Sequence, residues 1–146
     1  LDFDAHCGGG TAAMIATHDL GESIRHLDLS TNRFDSYQRV HPDDRLVIET
    51  GDDSAYIHAA EQMLDEIDWA GTDIVLYNAG VDIHPEMGRL TVATRERLVF
   101  ERANTKKTPI AWVLAGGYTW GITMDELVDL HWHTIDAATG LVTPGR

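Results

Sequence analysis

The chain has 146 residues, 43% of them hydrophobic, and 11 basic residues against 24 acidic ones give a formal net charge of -13. That length suits one core and is short for two, so a single domain over 1–146 is expected, and the acidic excess argues against direct nucleic-acid or anionic membrane partners. The lone cysteine, Cys7, excludes an internal disulfide, and the longest apolar runs, such as IAWVLA at 110–115, are too short for a membrane span or a signal segment, which points to a cytoplasmic location.

In chain order, LDFD at 1–4 reads as a strand, and the glycines that follow it open a helix at 10–16. SIRHLDLS at 23–30 alternates, with Ile24, His26, Asp28 and Ser30 opposing Leu27 and Leu29. RLVIE (45–49), DIVLYNAG (73–80) and PIAWVLAGG (109–117) read as buried strands, apolar and closed by turn residues. Helical patterns fall at 52–69, with Tyr56, Ala60, Met63, Leu64 and Ile67 on one stripe, at 91–104 and at 123–137. The last has Met124, Leu127, Val128, His131 and Ile135 in register, and Thr123 with Glu126 forms a capping box. Strands and helices alternating in this way predict an α/β fold, a three-layer α/β/α sandwich around a mostly parallel sheet. The sequence opens without an initiator Met and inside a strand pattern, which reads as a trimmed start or a piece of a longer chain.

In such sheets chemistry collects at the carboxyl ends of strands. The segments there are DAHCGGG, STN, GVDIHPE and GGYTWG. On an extended segment Asp2, Asp4 and His6 share one side, about 7 Å between successive side chains, and can converge if the strand curls at its end. Gly8, Gly9 and Gly10 permit that curl. A carboxylate and an imidazole suit Zn²⁺ or a similar borderline ion, and Asp82 is the best third ligand by the same carboxyl-end logic. Strand-end acids that merely cap a helix or solvate a loop are the competing reading. His84, two past Asp82, is within reach of such a site. His131 and His133 face nearly opposite sides of a helix, one expected in the core and one exposed, while His18, His26, His41 and His58 read as surface or strand-packing residues. Gly116 and Gly117 would let backbone approach a bound group closely, and the Tyr118 phenol could donate a hydrogen bond to a carbonyl oxygen gaining charge. A plain tight turn with an exposed aromatic is the other reading of GGY. Phosphate binding by GGG lacks any accompanying G-x-G-x-x-G or G-K-[ST] pattern.

Together these stretches resemble the histone deacetylase superfamily, which includes bacterial acetoin-utilisation and acetylpolyamine deacetylases. LDFDAHCGGGT is similar to its D-x-D-x-H-H-G-N-G-T segment, NAGVDIHPEMGRL to its A-G-F-D-x-H-x-x-D-P-L-G segment and LAGGYTW to its G-G-Y segment, in the same order, from Leu1 to about Ala138. The resemblance implies an arginase/deacetylase fold and a zinc ion held by Asp4, His6 and Asp82. It also implies a carbonyl-polarising Tyr118 and a structural monovalent cation (K⁺) near Asp2, Ser30 and the backbone by His6. Cys7 stands where the family has a second histidine and Gly9 where it has Asn or Asp; neither position carries a ligand. The family's adjacent histidine pair, its general base and acid, precedes the D-x-D-x-H strand, and this sequence contains no His-His dipeptide. The chain thus resembles the carboxyl-terminal half of a deacetylase domain.

The function this implies is a zinc-dependent amidohydrolase that removes an acyl group from an amine such as acetyl-lysine or an acetylated polyamine. Without the histidine pair the chain is expected to be incomplete or very slow, since positioned acid and base groups contribute about 10² to 10⁴ in rate. An isolated half could also form a homo-oligomer to cover exposed sheet. The alternatives are a non-catalytic metal-binding or interaction domain that keeps the ligands, and a ureohydrolase, whose D-A-H-x-D motif bridges two metals but meets Gly at position 8 here.

Overall fold

The computed structural model describes residues 1–84 and 86–140; Pro85, inside the expected strand-end segment GVDIHPE, and residues 141–146 lie outside the described residues. The elements are β1 (Asp2–Phe3), α1 (Gly9–Thr17), β2 (Leu27–Ser30), β3 (Arg45–Ile48), α2 (Asp53–Asp65), β4 (Val75–Gly80), α3 (Arg89–Lys106), β5 (Ile110–Ala115) and α4 (Met124–Gly140). The strands form one sheet in the order β3-β2-β1-β4-β5, every neighbouring pair parallel. This is the expected α/β architecture, consistent with three layers. The chain runs one way across the sheet from β1 to β2 and the other way from β3 through β4 to β5, and the right-handed crossover rule then puts α1 on one face and α2 and α3 on the other. α2 packs on α3, and α3 on α4. No helix among the described residues is long and apolar enough to cross a membrane.

The period-two alternation of the central strands sorts two chemistries onto the two faces. Phe3, Leu27, Leu29, Val75, Tyr77 and Ala79 face the core, where they meet Tyr56, Ala60, Met63 and Leu64 of α2 and Val92, Val99, Phe100 and Ala103 of α3. Asp2, Asp28, Ser30 and Asn78 occupy the alternate positions. Asp2, Asp28 and Ser30 are buried as well, so the other face of the central strands is polar and covered. Within the core, Arg95 of α3 has no exposed surface. Its guanidinium donates to the Phe3 carbonyl at 2.8 Å and pairs with the equally buried Glu96, whose Oε1 also accepts from the Tyr77 hydroxyl at 3.0 Å.

Several boundaries and faces differ from expectation. β2 begins at Leu27 rather than 23, because Asp44 takes the backbone N–H of His26 at 2.9 Å where a strand partner would otherwise sit. α2 ends at Asp65 rather than 69: Glu66 caps it, and the Trp69 indole turns back to donate to the Leu64 carbonyl at 2.9 Å. β4 and β5 are covered on one face only. Leu76 (64% exposed) and Val113 (59%) lie on the other face, which no helix covers among the described residues. The expected stripe of α4 is also displaced, for Leu130 and Thr134 are its buried residues while Met124 and Val128 are exposed. The capping box forms as expected: Glu126 Oε2 accepts from the Thr123 backbone N–H at 2.7 Å, and Thr123 Oγ1 accepts from the Glu126 N–H at 3.2 Å.

Candidate metal centre

The sheet order changes direction between β1 and β4, the point at which the loops beyond two adjacent parallel strands diverge and leave a crevice. Asp2 is registered with Asn78 and Phe3 with Ala79, so the residues that follow, Asp4 to His6 and Val81 to Asp82, leave the sheet side by side. One oxygen from each of Asp4 and Asp82 and a ring nitrogen of His6 lie within 4.8 Å of one another. His6 Nδ1 stands 3.2 Å from Asp4 Oδ1 and 3.1 Å from Asp82 Oδ2. The expected trio therefore converges, at the ends of strands far apart in sequence.

Local bonds fix each side chain. Asp82 Oδ1 accepts from the Ala5 backbone N–H at 3.1 Å, tying the second loop to the first. Asp4 Oδ1 accepts from the His6 backbone N–H at 2.8 Å. The imidazole, 38% exposed, meets Phe34 edge-on with ring centroids 5.6 Å apart. Asp82 Oδ2 is buried and has no hydrogen-bond partner of adequate geometry, despite its distance to His6. An unsatisfied buried carboxylate oxygen is costly unless a cation completes it. Burial, and after it the nearby Asp4 charge, raises the Asp82 carboxyl above its usual range. Two carboxylates and an imidazole with one open side fit a borderline divalent ion such as zinc.

Gly116 and Gly117 both adopt positive φ, 58° and 90°, and the turn they make lies directly over Asp82. A β-carbon built on Gly116 would stand 2.4 Å from the Asp82 carboxyl carbon. Tyr118 follows the turn, 57% exposed, with its ring stacked on Trp120 at 5.8 Å. Cys7 is buried and its thiol donates to the Asn32 carbonyl at 3.4 Å, outside the trio. His84 is not among the converging ligands; its Nδ1 lies 3.3 Å from the Met87 carbonyl. His131 and His133 are both partly covered, rather than one buried and one exposed.

Asp2 and Ser30, the residues expected near a monovalent cation, meet through Asp28: Ser30 Oγ donates to Asp28 Oδ1 at 2.6 Å, and Asp2, His26 and Asp28 form a second converging set. In the sequence His26 reads as a packing residue and Asp28 has no role. The alternation H-x-D-x-S on β2 carried the same signal as D-x-D-x-H on β1. His131, which the sequence marks only as one of a helical pair, has a ring that backs onto the Gly116–Gly117 turn. Its Nδ1 is buried without a partner, and burial lowers its pKa. A helical histidine two residues from another offered no spacing that would have singled it out.

No protein-family model matches the chain. It is 32% identical over 133 residues to an uncharacterized protein of Picosynechococcus sp., an alignment that takes in 84% of this chain and 43% of that protein. The chain thus spans less than half the length of the curated relative it matches.

Proposed function

We propose that this chain supplies the zinc-binding part of a deacetylase-type amidohydrolase acting on acyl-amines such as acetyl-lysine or acetylated polyamines. The observation that carries the reading is the convergence of Asp4, His6 and Asp82, with His6 Nδ1 directed between the two carboxylates and Asp82 Oδ2 left unsatisfied. When bound there, zinc would polarise the substrate carbonyl and acidify a water molecule. The chain's own groups do the rest. Ala5 N–H holds Asp82 in place, the Gly116–Gly117 turn closes the site beside that carboxyl, and the Tyr118 hydroxyl donates to the carbonyl oxygen as charge develops on it. The net charge of -13 favours a cationic amine as substrate. Since the sequence has no adjacent histidine pair, the proton-transfer groups come from outside this chain, and hydrolysis by the chain alone is slow.

Zinc titration by calorimetry tests the reading. Tight binding is expected, weakened by about 100-fold in Asp82→Ala. Unchanged zinc affinity in that variant refutes the ligand set. Hydrolysis of acetyl-lysine peptides or acetylpolyamines by a longer protein that contains this chain, lost in Tyr118→Phe, supports the reaction. Stoichiometric zinc without hydrolysis in such a protein would leave a non-catalytic metal-binding domain.

A further inference from the structure

The face of the sheet that carries Asp4 holds a second cluster beneath it. Asp2 of β1 and His26 and Asp28 at the start of β2 each offer a ligand atom within 4.8 Å of the others. Asp28 has no exposed surface, His26 is 3% exposed and Asp2 8%. The contacts already made leave one set of atoms free. Asn78 Nδ2 donates to Asp2 Oδ1 at 2.8 Å, which leaves Oδ2. Ser30 Oγ and the Gly8 N–H each donate to one oxygen of Asp28, both at 2.6 Å, and a carboxylate oxygen keeps a further lone pair. Neither ring nitrogen of His26 has a hydrogen-bond partner, although both are fully buried.

Asp2 Oδ2 and His26 Nε2 aim at the same place. Each lies within 3 Å of where a β-carbon on Gly8 would stand, at 2.6 and 2.9 Å, so the absence of a side chain at position 8 keeps the space between them open. The other side of the imidazole is closed by the Tyr37 ring, stacked on it at 5.1 Å and 10°. Two buried carboxylates leave an excess of negative charge that a neutral imidazole does not offset. A buried histidine with both nitrogens unpaired is a rare arrangement unless a bound ion or water completes it.

We infer that Asp2, His26 and Asp28 form a second divalent-cation site, distinct from the Asp4–His6–Asp82 trio, which takes a transition ion of the zinc or manganese class. The imidazole decides against a monovalent ion, because a nitrogen donor with two carboxylates is a borderline-metal set. Asp2 lies in β1 and Asp4 just beyond its end, and two residues of extended backbone span about 7 Å, whereas bridged two-metal sites hold their ions about 3.5–4 Å apart. The second ion is therefore structural. It ties β1 to β2 and holds the segment around Tyr37 against the sheet. Because His26 is covered, loading takes place during folding or by opening of that segment.

The test does not depend on the hydrolase reading. In a His6→Ala background, which removes the imidazole of the first site, protein refolded from urea with Zn²⁺ and dialysed in a K⁺-free buffer should retain one equivalent by elemental analysis. X-ray absorption at the zinc edge should show one imidazole among oxygen ligands. Adding His26→Gln should weaken retention by about tenfold or more, with far-UV circular dichroism unchanged. The first measurement stands even if the double variant fails to fold. Retention of no zinc by folded His6→Ala, an oxygen-only shell, equal retention in a folded double variant, or a site that takes up only K⁺ or water would each overturn the inference.

Discussion

Replacing Gly116 with alanine separates the two reasons for a glycine beside the candidate ligand. At φ 58° any side chain incurs the left-handed penalty, about 1–2 kcal/mol. The new β-carbon would also stand 2.4 Å from the Asp82 carboxyl carbon, far inside contact distance, and the carboxylate must move. Asp82 Oδ1 holds the buried Ala5 N–H at 3.1 Å, and stranding that donor adds about 1–3 kcal/mol. Gly116→Ala should therefore lose about 2–5 kcal/mol of stability and weaken zinc binding by about 10- to 100-fold. Two controls divide the effect. Gly121 has φ 80° but open space around its α-carbon, so Gly121→Ala should incur the backbone penalty alone and leave zinc affinity unchanged. Gly10, within α1 and equally open, should gain about 0.5–1 kcal/mol as alanine. Urea unfolding followed by circular dichroism, with calorimetric zinc titration, reads all three. If Gly116→Ala matches Gly121→Ala in both measurements, the turn does not position Asp82 and the argument fails.

Arg95→Met removes the donor to the Phe3 carbonyl and leaves Glu96 as an unpaired buried charge, for an expected loss of about 3–5 kcal/mol. Arg95→Met/Glu96→Gln should lose measurably less in the same urea assay, and equal losses would show that the stranded charge is not the dominant effect. In metal-free protein, burial pushes the His26 imidazole down to about 4, so its NMR titration should fall near there rather than at the ordinary value. The ring is neutral in the fold and charges more readily in the unfolded chain. Its contribution to stability is therefore full above the unfolded pKa of about 6.5 and is lost as pH falls through about 4. A His26 midpoint near 6.5 would mean the ring is not enclosed.

The alternation of strands and helices was legible because each strand keeps its own period, and so were the ends of β1 and β4 as the place where Asp4, His6 and Asp82 meet. The trio could be read because D-x-D-x-H is local, and a single further acid at the next strand end completed it. What failed was anything that depends on who covers whom. The apolar residues of β4 and β5 are spaced as for two buried faces, yet a sequence does not say which side receives a helix. The crossover rule does, once strand order is known. Leu76 and Val113 are apolar and exposed for that reason.

Arg95 shows the same limit from the opposite side. It sits in RLTVATRERLVFERANTK, a segment whose many charges suggest a solvated helix. Its ion-pair partner is adjacent in sequence, a spacing that places two side chains on different faces of a helix and predicts no pairing. The pair forms because both lie under the sheet, where the Phe3 carbonyl accepts a further guanidinium N–H and the Tyr77 hydroxyl donates to Glu96 Oε1. The carbonyl is the last of β1, immediately before Asp4. A buried cation in α3 thus holds the strand end from which Asp4, the first candidate ligand, projects, and the geometry of the candidate site depends on a residue on the opposite face of the sheet.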